Sequence, residues 1–130
     1  MQKLILVVDD TAYSREAMAL ALMSIQDVEV RTAGSMLEAM KIVDSKEGIH
    51  ALCTDLNMPL GDGFQLIEQV RSDIRYSQIP IVVISANTDE ATPGRVKSLG
   101  ADAFFSKPYS PMVLRQTLER LFDAKQNPGA

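Results

Sequence analysis

At 130 residues the chain is long enough for one domain with a real core and too short for two, so a single functional site is expected. Hydrophobic residues make up 46% and charged residues 23%, ordinary globular proportions that argue against disorder and against a membrane class. A net charge of −4 with no run of Lys or Arg leaves out the basic footprint that nucleic-acid binding requires, and no apolar run approaches the roughly eighteen residues of a membrane span. With no signal-peptide pattern either, the expectation is a cytoplasmic protein that neither binds nucleic acid directly nor inserts into a membrane. The single cysteine, Cys53, has no disulfide partner and reads as a small hydrophobe inside an apolar run.

Leu4 to Val8 is an unbroken apolar run with branched side chains, the pattern of a strand covered on both faces, and it stops at Asp9 and Asp10. From Ser14 onward, Met18, Ala21, Leu22 and Ile25 fall at helical spacing and predict helix α1. Val28 and Val30 alternate with Glu29 and Arg31, which predicts a strand β2 with one wet face at a sheet edge. Met36, Ala39, Met40 and Val43 predict helix α2, ending near Glu47 and Gly48, with Ser35 as cap and Glu38 completing a capping box.

Ile49 to Thr54 predicts β3, followed from Asp55 to Gly63 by a loop carrying the turn signals Met58-Pro59 and Gly61-Asp62-Gly63. Leu66, Ile67, Val70 and Ile74 predict the inward face of helix α3, and Ile79 to Ile84 predicts β4, with Pro80 at its start and Ser85 at its end. Thr92-Pro93-Gly94 interrupts the next helical pattern; Thr92 as cap and Pro93 in the first turn give a short α4 that runs to Leu99 before Gly100. Ala101 to Ser106 predicts β5, Lys107-Pro108 turns the chain, and Leu114, Leu118, Leu121 and Phe122 predict α5. The domain is expected to occupy residues 1–125, with 126–130 as a flexible tail.

Five alternations of strand and helix call for an α/β fold: a doubly wound parallel sheet with right-handed crossovers. The wet face of β2 favours the flavodoxin-like order 2-1-3-4-5 over a barrel, which needs eight such units. All strands of a parallel sheet end on one edge, so Asp9 and Asp10, Asp55, Ser85 and Lys107 are expected to meet there although they lie far apart in sequence. Acids crowded into one cleft repel one another, and a hard divalent cation with oxygen ligands, Mg²⁺ above all with Mn²⁺ as an alternative, resolves that repulsion and recruits a phosphoryl group. Lys107 as a point charge and Ser85 as a hydroxyl donor suit phosphoryl transfer, where positioning and charge neutralisation carry the catalysis. Taken singly the residues have plainer readings: Asp9-Asp10 as a cap of α1, Asp55 as a turn former, Ser85 as a helix cap and Lys107 as a solvated turn lysine.

Leu4-Ile5-Leu6-Val7-Val8-Asp9-Asp10, Asp55-Leu56-Asn57-Met58-Pro59, Asp62-Gly63, Ser85-Ala86 and Ser106-Lys107-Pro108 together resemble the receiver domain of two-component response regulators, of the single-domain chemotaxis type, over nearly the whole chain. The resemblance implies that Asp55 accepts a phosphoryl group from the phosphohistidine of a sensor kinase or histidine phosphotransfer protein. It implies that Asp10 binds Mg²⁺ directly, Asp9 through water, and Asn57 through its backbone carbonyl. It implies further that Ser85 and Lys107 pair with the phosphoryl oxygens, that Phe104 is the aromatic switch, and that the Lys107-Pro108 bond is cis. Phe104 can equally be a core or edge-covering residue. Thr92-Pro93-Gly94 departs from the family pattern and predicts a shortened or mobile α4. Enzymatic activity is expected only in receiving and slowly hydrolysing its own phosphate, with an unidentified downstream protein as target. The rivals are a non-phosphorylatable interaction module of the same fold, and a flavin-binding or hydrolase enzyme. The latter lacks a second general base and a Ser/Thr/Gly loop after β1, and His50, the only histidine, falls on the opposite edge.

Overall fold

A computed structural model describes residues 2–58, 62–87 and 89–126, for Gln126 the backbone alone. Five strands, β1 (Lys3–Val8), β2 (Val28–Ala33), β3 (Ala51–Thr54), β4 (Ile81–Ser85) and β5 (Ala103–Ser106), alternate with α1 (Ala12–Met23), α2 (Met36–Val43), α3 (Gly63–Ser72), α4 (Thr92–Ser98) and α5 (Pro111–Gln126). The strands pair in parallel in the order β2-β1-β3-β4-β5, as the sequence predicts for a flavodoxin-like sheet.

The period of two along the strands divides the core cleanly. Leu4, Leu6 and Val8 of β1, with Leu52, Ile81 and Val83, face α2, α3 and α4 through Ala39, Val43, Leu66, Ile67, Val70 and Val96. Ile5 and Val7, with Ala51, Cys53, Val82 and Ile84, face α1 and α5 through Met18, Leu22, Leu114, Leu118 and Phe122. Each fully buried Leu, Ile or Val contributes roughly 2 kcal/mol on removal from water. β2, at the edge, keeps Val28 and Val30 half-buried while Glu29 and Thr32 are exposed. No helix among the described residues is long and apolar enough to cross a membrane.

Several boundaries differ from the sequence reading, each for a local reason. α2 stops at Val43 rather than near Glu47, because Asp44 caps it and the Ser45 hydroxyl donates to the Ile42 carbonyl at 2.7 Å. The Ser35 hydroxyl does accept from Glu38 N, but Glu38 reaches back to Gly34 N at 2.7 Å; the reciprocal capping box is formed instead by Asp62 and Gln65 at α3. β3 starts at Ala51, since His50 replaces a ladder bond with its ring: Leu4 N donates to His50 Nδ1 at 2.9 Å. Pro80 lies just before β4, its carbonyl accepting from Leu52 N. β5 begins at Ala103, because the Asp102 carboxylate, not a strand carbonyl, takes the Ile81 N–H at 2.9 Å.

Ile74 is not on the inward face of α3; it is 90% exposed in a short 3₁₀ turn, Ile74–Tyr76, that the sequence pattern did not separate from the helix. The short α4 is present, but its cap is Ala91, with no side-chain hydrogen bond, and Thr92 is the first helical residue, buried at 4% exposure. Gly100 behind it adopts φ 108°, a conformation that favours glycine. The turn signals at Pro59 and Gly61, and the tail residues 127–130, lie outside the described residues.

Candidate functional site at the carboxyl edge of the sheet

Parallel pairing brings the ends of β1 and β3 side by side. Val8 sits opposite Thr54, and Asp55 N donates to the Val8 carbonyl at 2.9 Å, so the acids that follow the two strands become neighbours. Carboxylate oxygens of Asp9, Asp10 and Asp55 all lie within 4.8 Å of one another. Asp9 is fully buried and Asp55 is 6% exposed, whereas Asp10 faces solvent. Lys107, delivered by the turn after β5, places Nζ 3.0 Å from Asp9 Oδ2 and 3.0 Å from Asp55 Oδ2. Burial alone would push the Lys107 ammonium down; the hydrogen bonds to Asp9 and Asp55, together with their charge, outweigh it and hold the pKa above the ordinary lysine value.

The acids take their donors from backbone and side chains alike. Asp55 Oδ1 accepts from Leu56 N at 2.6 Å and from Asn57 N at 3.3 Å, and among the described residues Oδ2 has Lys107 as its donor. Asp9 Oδ1 accepts from Thr11 N at 2.9 Å, and its Oδ2 accepts from the Ser14 hydroxyl at 2.6 Å. Gly63 packs so closely under the Asp55 carbonyl and Leu56 Cα that any Cβ there would collide with backbone. The structural reading of Asp9-Asp10 as a simple helix cap is therefore too small: the cap position is Thr11, without a side-chain bond, and Asp9 turns toward the other acids.

Of the remaining residues singled out by sequence, Ser85 is fully buried at the end of β4; its hydroxyl accepts from Asn87 N at 3.1 Å and its carbonyl accepts from Lys107 N at 2.9 Å. Asn57 is exposed beside Asp55. Phe104 stands apart from the acids, half-buried against the α2–α4 side of the core, where it borders a cavity of about 230 Å³ with Pro93, Val96 and Lys97. The Lys107-Pro108 bond is cis, as the family resemblance implies. His50 lies on the opposite edge, bonded to the backbone. Ser14 and Arg15, whose Nη1 donates to the Asp9 carbonyl at 2.9 Å, were not among the candidates; only their place in the first turn after the acids could have marked them.

The donor set is all oxygen, three carboxylates of which two hold the Lys107 ammonium, and so fits a hard divalent cation of the Mg²⁺ or Mn²⁺ kind better than a thiolate- or imidazole-seeking metal. Such a sheet edge, with surplus acid charge and one lysine reaching across it, is the place where doubly wound parallel sheets bind their ligands. Residues 5–119 match the model of the response regulator receiver domain, and the chain belongs to that family. It is 33% identical over 115 residues to chemotaxis protein CheY1 of Helicobacter pylori, covering 88% of this chain and 93% of that protein. It is 29% identical over 126 residues to a CheY homologue of Campylobacter jejuni, covering 97% of each. Its fold superposes on the chemotaxis response regulator CheY4 of Vibrio cholerae with a TM-score of 0.80 at 29% identity, over 93% of this chain and 99% of that one. A CheY-like receiver domain of Methanospirillum hungatei gives a TM-score of 0.88 at 21% identity, over 99% and 100%, a likeness of fold.

Proposed function

We propose that the chain is a phosphoacceptor signalling switch of the cytoplasm, acting in two-component signalling of the chemotaxis type. The observation that carries this reading is the single ammonium of Lys107 at 3.0 Å from both Asp9 and Asp55, in a cluster of three carboxylates at the carboxyl edge of the sheet. Asp55 Oδ2 attacks the phosphorus of a phosphohistidine on a sensor kinase or phosphotransfer protein. An O–P bond forms, the N–P bond breaks, and the imidazole leaves with the electron pair and takes up a proton. Asp9, Asp10 and Asp55, with the backbone carbonyl of Asn57, would hold Mg²⁺, which when bound neutralises phosphoryl charge. Leu56 N and Asn57 N fix Asp55 Oδ1 and so aim Oδ2 outward.

Once the phosphoryl group is in place, Lys107 turns from the carboxylates to its oxygens, and the Ser85 hydroxyl donates to another. Slow attack of water on phosphorus breaks the P–O bond to Asp55, releases inorganic phosphate and returns Asp55 to its carboxylate. Output is a changed partner surface: the phosphoryl charge shifts the β4–α4 segment, and Phe104 follows it into the space beside Pro93 and Val96. The weak hold on α4, seven residues with an uncapped start, supports this route.

Incubation with a small phosphodonor and Mg²⁺, followed by intact mass measurement, tests the reading. Wild type gains one phosphoryl group and Asp55→Asn gains none; an adduct that survives the substitution places the chemistry elsewhere. Amide exchange of residues 86 to 98 should differ with and without a phosphoryl mimic, and equal protection would remove the proposed output route.

A further inference from the structure

We propose that Ser14 is a positioning residue for Asp9 that sets the affinity of the acid cluster for its divalent cation, an inference that rests on the phosphoacceptor reading and extends it. Asp9 has no exposure to solvent, so the orientation of its carboxylate is decided by its hydrogen-bond donors. Among the described residues there are three: Thr11 N on Oδ1 at 2.9 Å, and on Oδ2 the Ser14 hydroxyl at 2.6 Å and the Lys107 ammonium at 3.0 Å. The two donors on Oδ2 differ in kind. Lys107 brings a positive charge that competes with any cation for the carboxylate, and it divides itself between Asp9 and Asp55. Ser14 is neutral: its hydroxyl orients the carboxylate without cancelling its charge.

The difference becomes important when Asp55 carries a phosphoryl group. Lys107 then has a more highly charged partner and leaves Asp9, and Ser14 is the donor that stays on Oδ2. Arg15, the next residue of α1, fixes the same acid from behind, its Nη1 donating to the Asp9 carbonyl at 2.9 Å. The first turn of α1 thus holds Asp9 by side chain and by backbone. Donors that hydrogen-bond a metal-binding carboxylate and fix its orientation typically change metal affinity by about tenfold or more when removed.

Binding of Mg²⁺ by calorimetry, and of Mn²⁺ by its paramagnetic resonance signal, measured on the unphosphorylated protein, separates the possibilities. Ser14→Ala should raise the cation Kd about tenfold while Ser14→Thr, which keeps the hydroxyl, should stay within about twofold of wild type. Equal Kd values for wild type and Ser14→Ala overturn the proposal, as does equal weakening in both variants, which would make the effect one of packing. Ser14 is half-buried, and urea unfolding shows whether Ser14→Ala keeps its fold; if it does not, Ser14→Cys, with the same shape and a poor donor, carries the same expectation. A wild type that binds neither cation overturns the phosphoacceptor reading itself, and the role of Ser14 with it.

Discussion

The two ends of the sheet each carry a cluster of charges, built on opposite accounting. At the amino end, Asp102 accepts from Ile81 N, from Arg71 at 3.1 Å and from Lys125 at 3.0 Å. Arg71 also donates twice to the Gly100 carbonyl and once to the Tyr76 carbonyl. Burial draws the guanidinium below its ordinary pKa, and the charge of Asp102 opposes the shift. This cluster ties α3, α4, β4, β5 and α5 together, its one carboxylate taken up by two cations and a peptide N–H. At the carboxyl end Asp9 and Asp55 share one ammonium with the Asp10 carboxylate close by, and that negative excess is what a cation can use. Density of charge does not separate structure from function here; the sign of what is left over does.

The contrast can be broken from either side. The largest effect is expected from Asp102→Ala, which takes one partner from Arg71 and leaves the buried Ile81 N without its acceptor: unfolding free energy in urea should fall by about 3 kcal/mol while cation affinity stays unchanged. A parallel loss of cation binding would show that the two ends are not independent. Gly63→Ala, forced against the Asp55 backbone, should cost about 2 kcal/mol and also slow phosphoryl uptake by displacing Asp55; normal uptake kinetics would contradict the contact.

Asp10→Asn removes one of the crowded charges and should raise Tm by about 2 °C in a chelator, a gain that disappears in saturating Mg²⁺. Tm below wild type in the chelator would mean that the acids do not repel.

The smallest effect lies between the two ends, at Cys53. Burial pushes its thiol up to about 12, so the folded chain keeps a proton that the unfolded chain gives up sooner. Its contribution to stability is whole below the ordinary thiol value and is lost as pH rises from there toward about 12. Alkylation should be negligible in the folded protein at pH 8 and complete in urea; rapid alkylation of the folded protein would show that the interior opens.

The sheet and the meeting of Asp9, Asp10, Asp55 and Lys107 were legible because two strong signals carry them. Apolar runs mark strands buried on both faces, and the parallel topology makes every strand end a neighbour of the next. What was not legible depends on side chains standing in for backbone. The His50 ring on Leu4 N and the Asp102 carboxylate on Ile81 N shorten β3 and β5 through contacts between residues 46 and 21 apart, which no local pattern encodes. Ile74 misled because its helical spacing continues past a helix whose chain has already turned at Asp73. Ser14 escaped notice because a serine in a first helical turn is common, and its value comes only from the fully buried acid it faces.

The wet face of β2 bears on solubility. An edge strand offers a row of free peptide groups to any other extended chain, the route by which sheets merge and proteins aggregate. Along this edge Arg31 bridges Glu29 and Glu47, at 3.4 Å and 3.1 Å, so an incoming strand would have to strip water from three charges before making a single ladder bond. The pairing that gives a surface ion network little weight in folding stability gives it more against self-association, and the sheet can end in solvent without a helix to cover its rim.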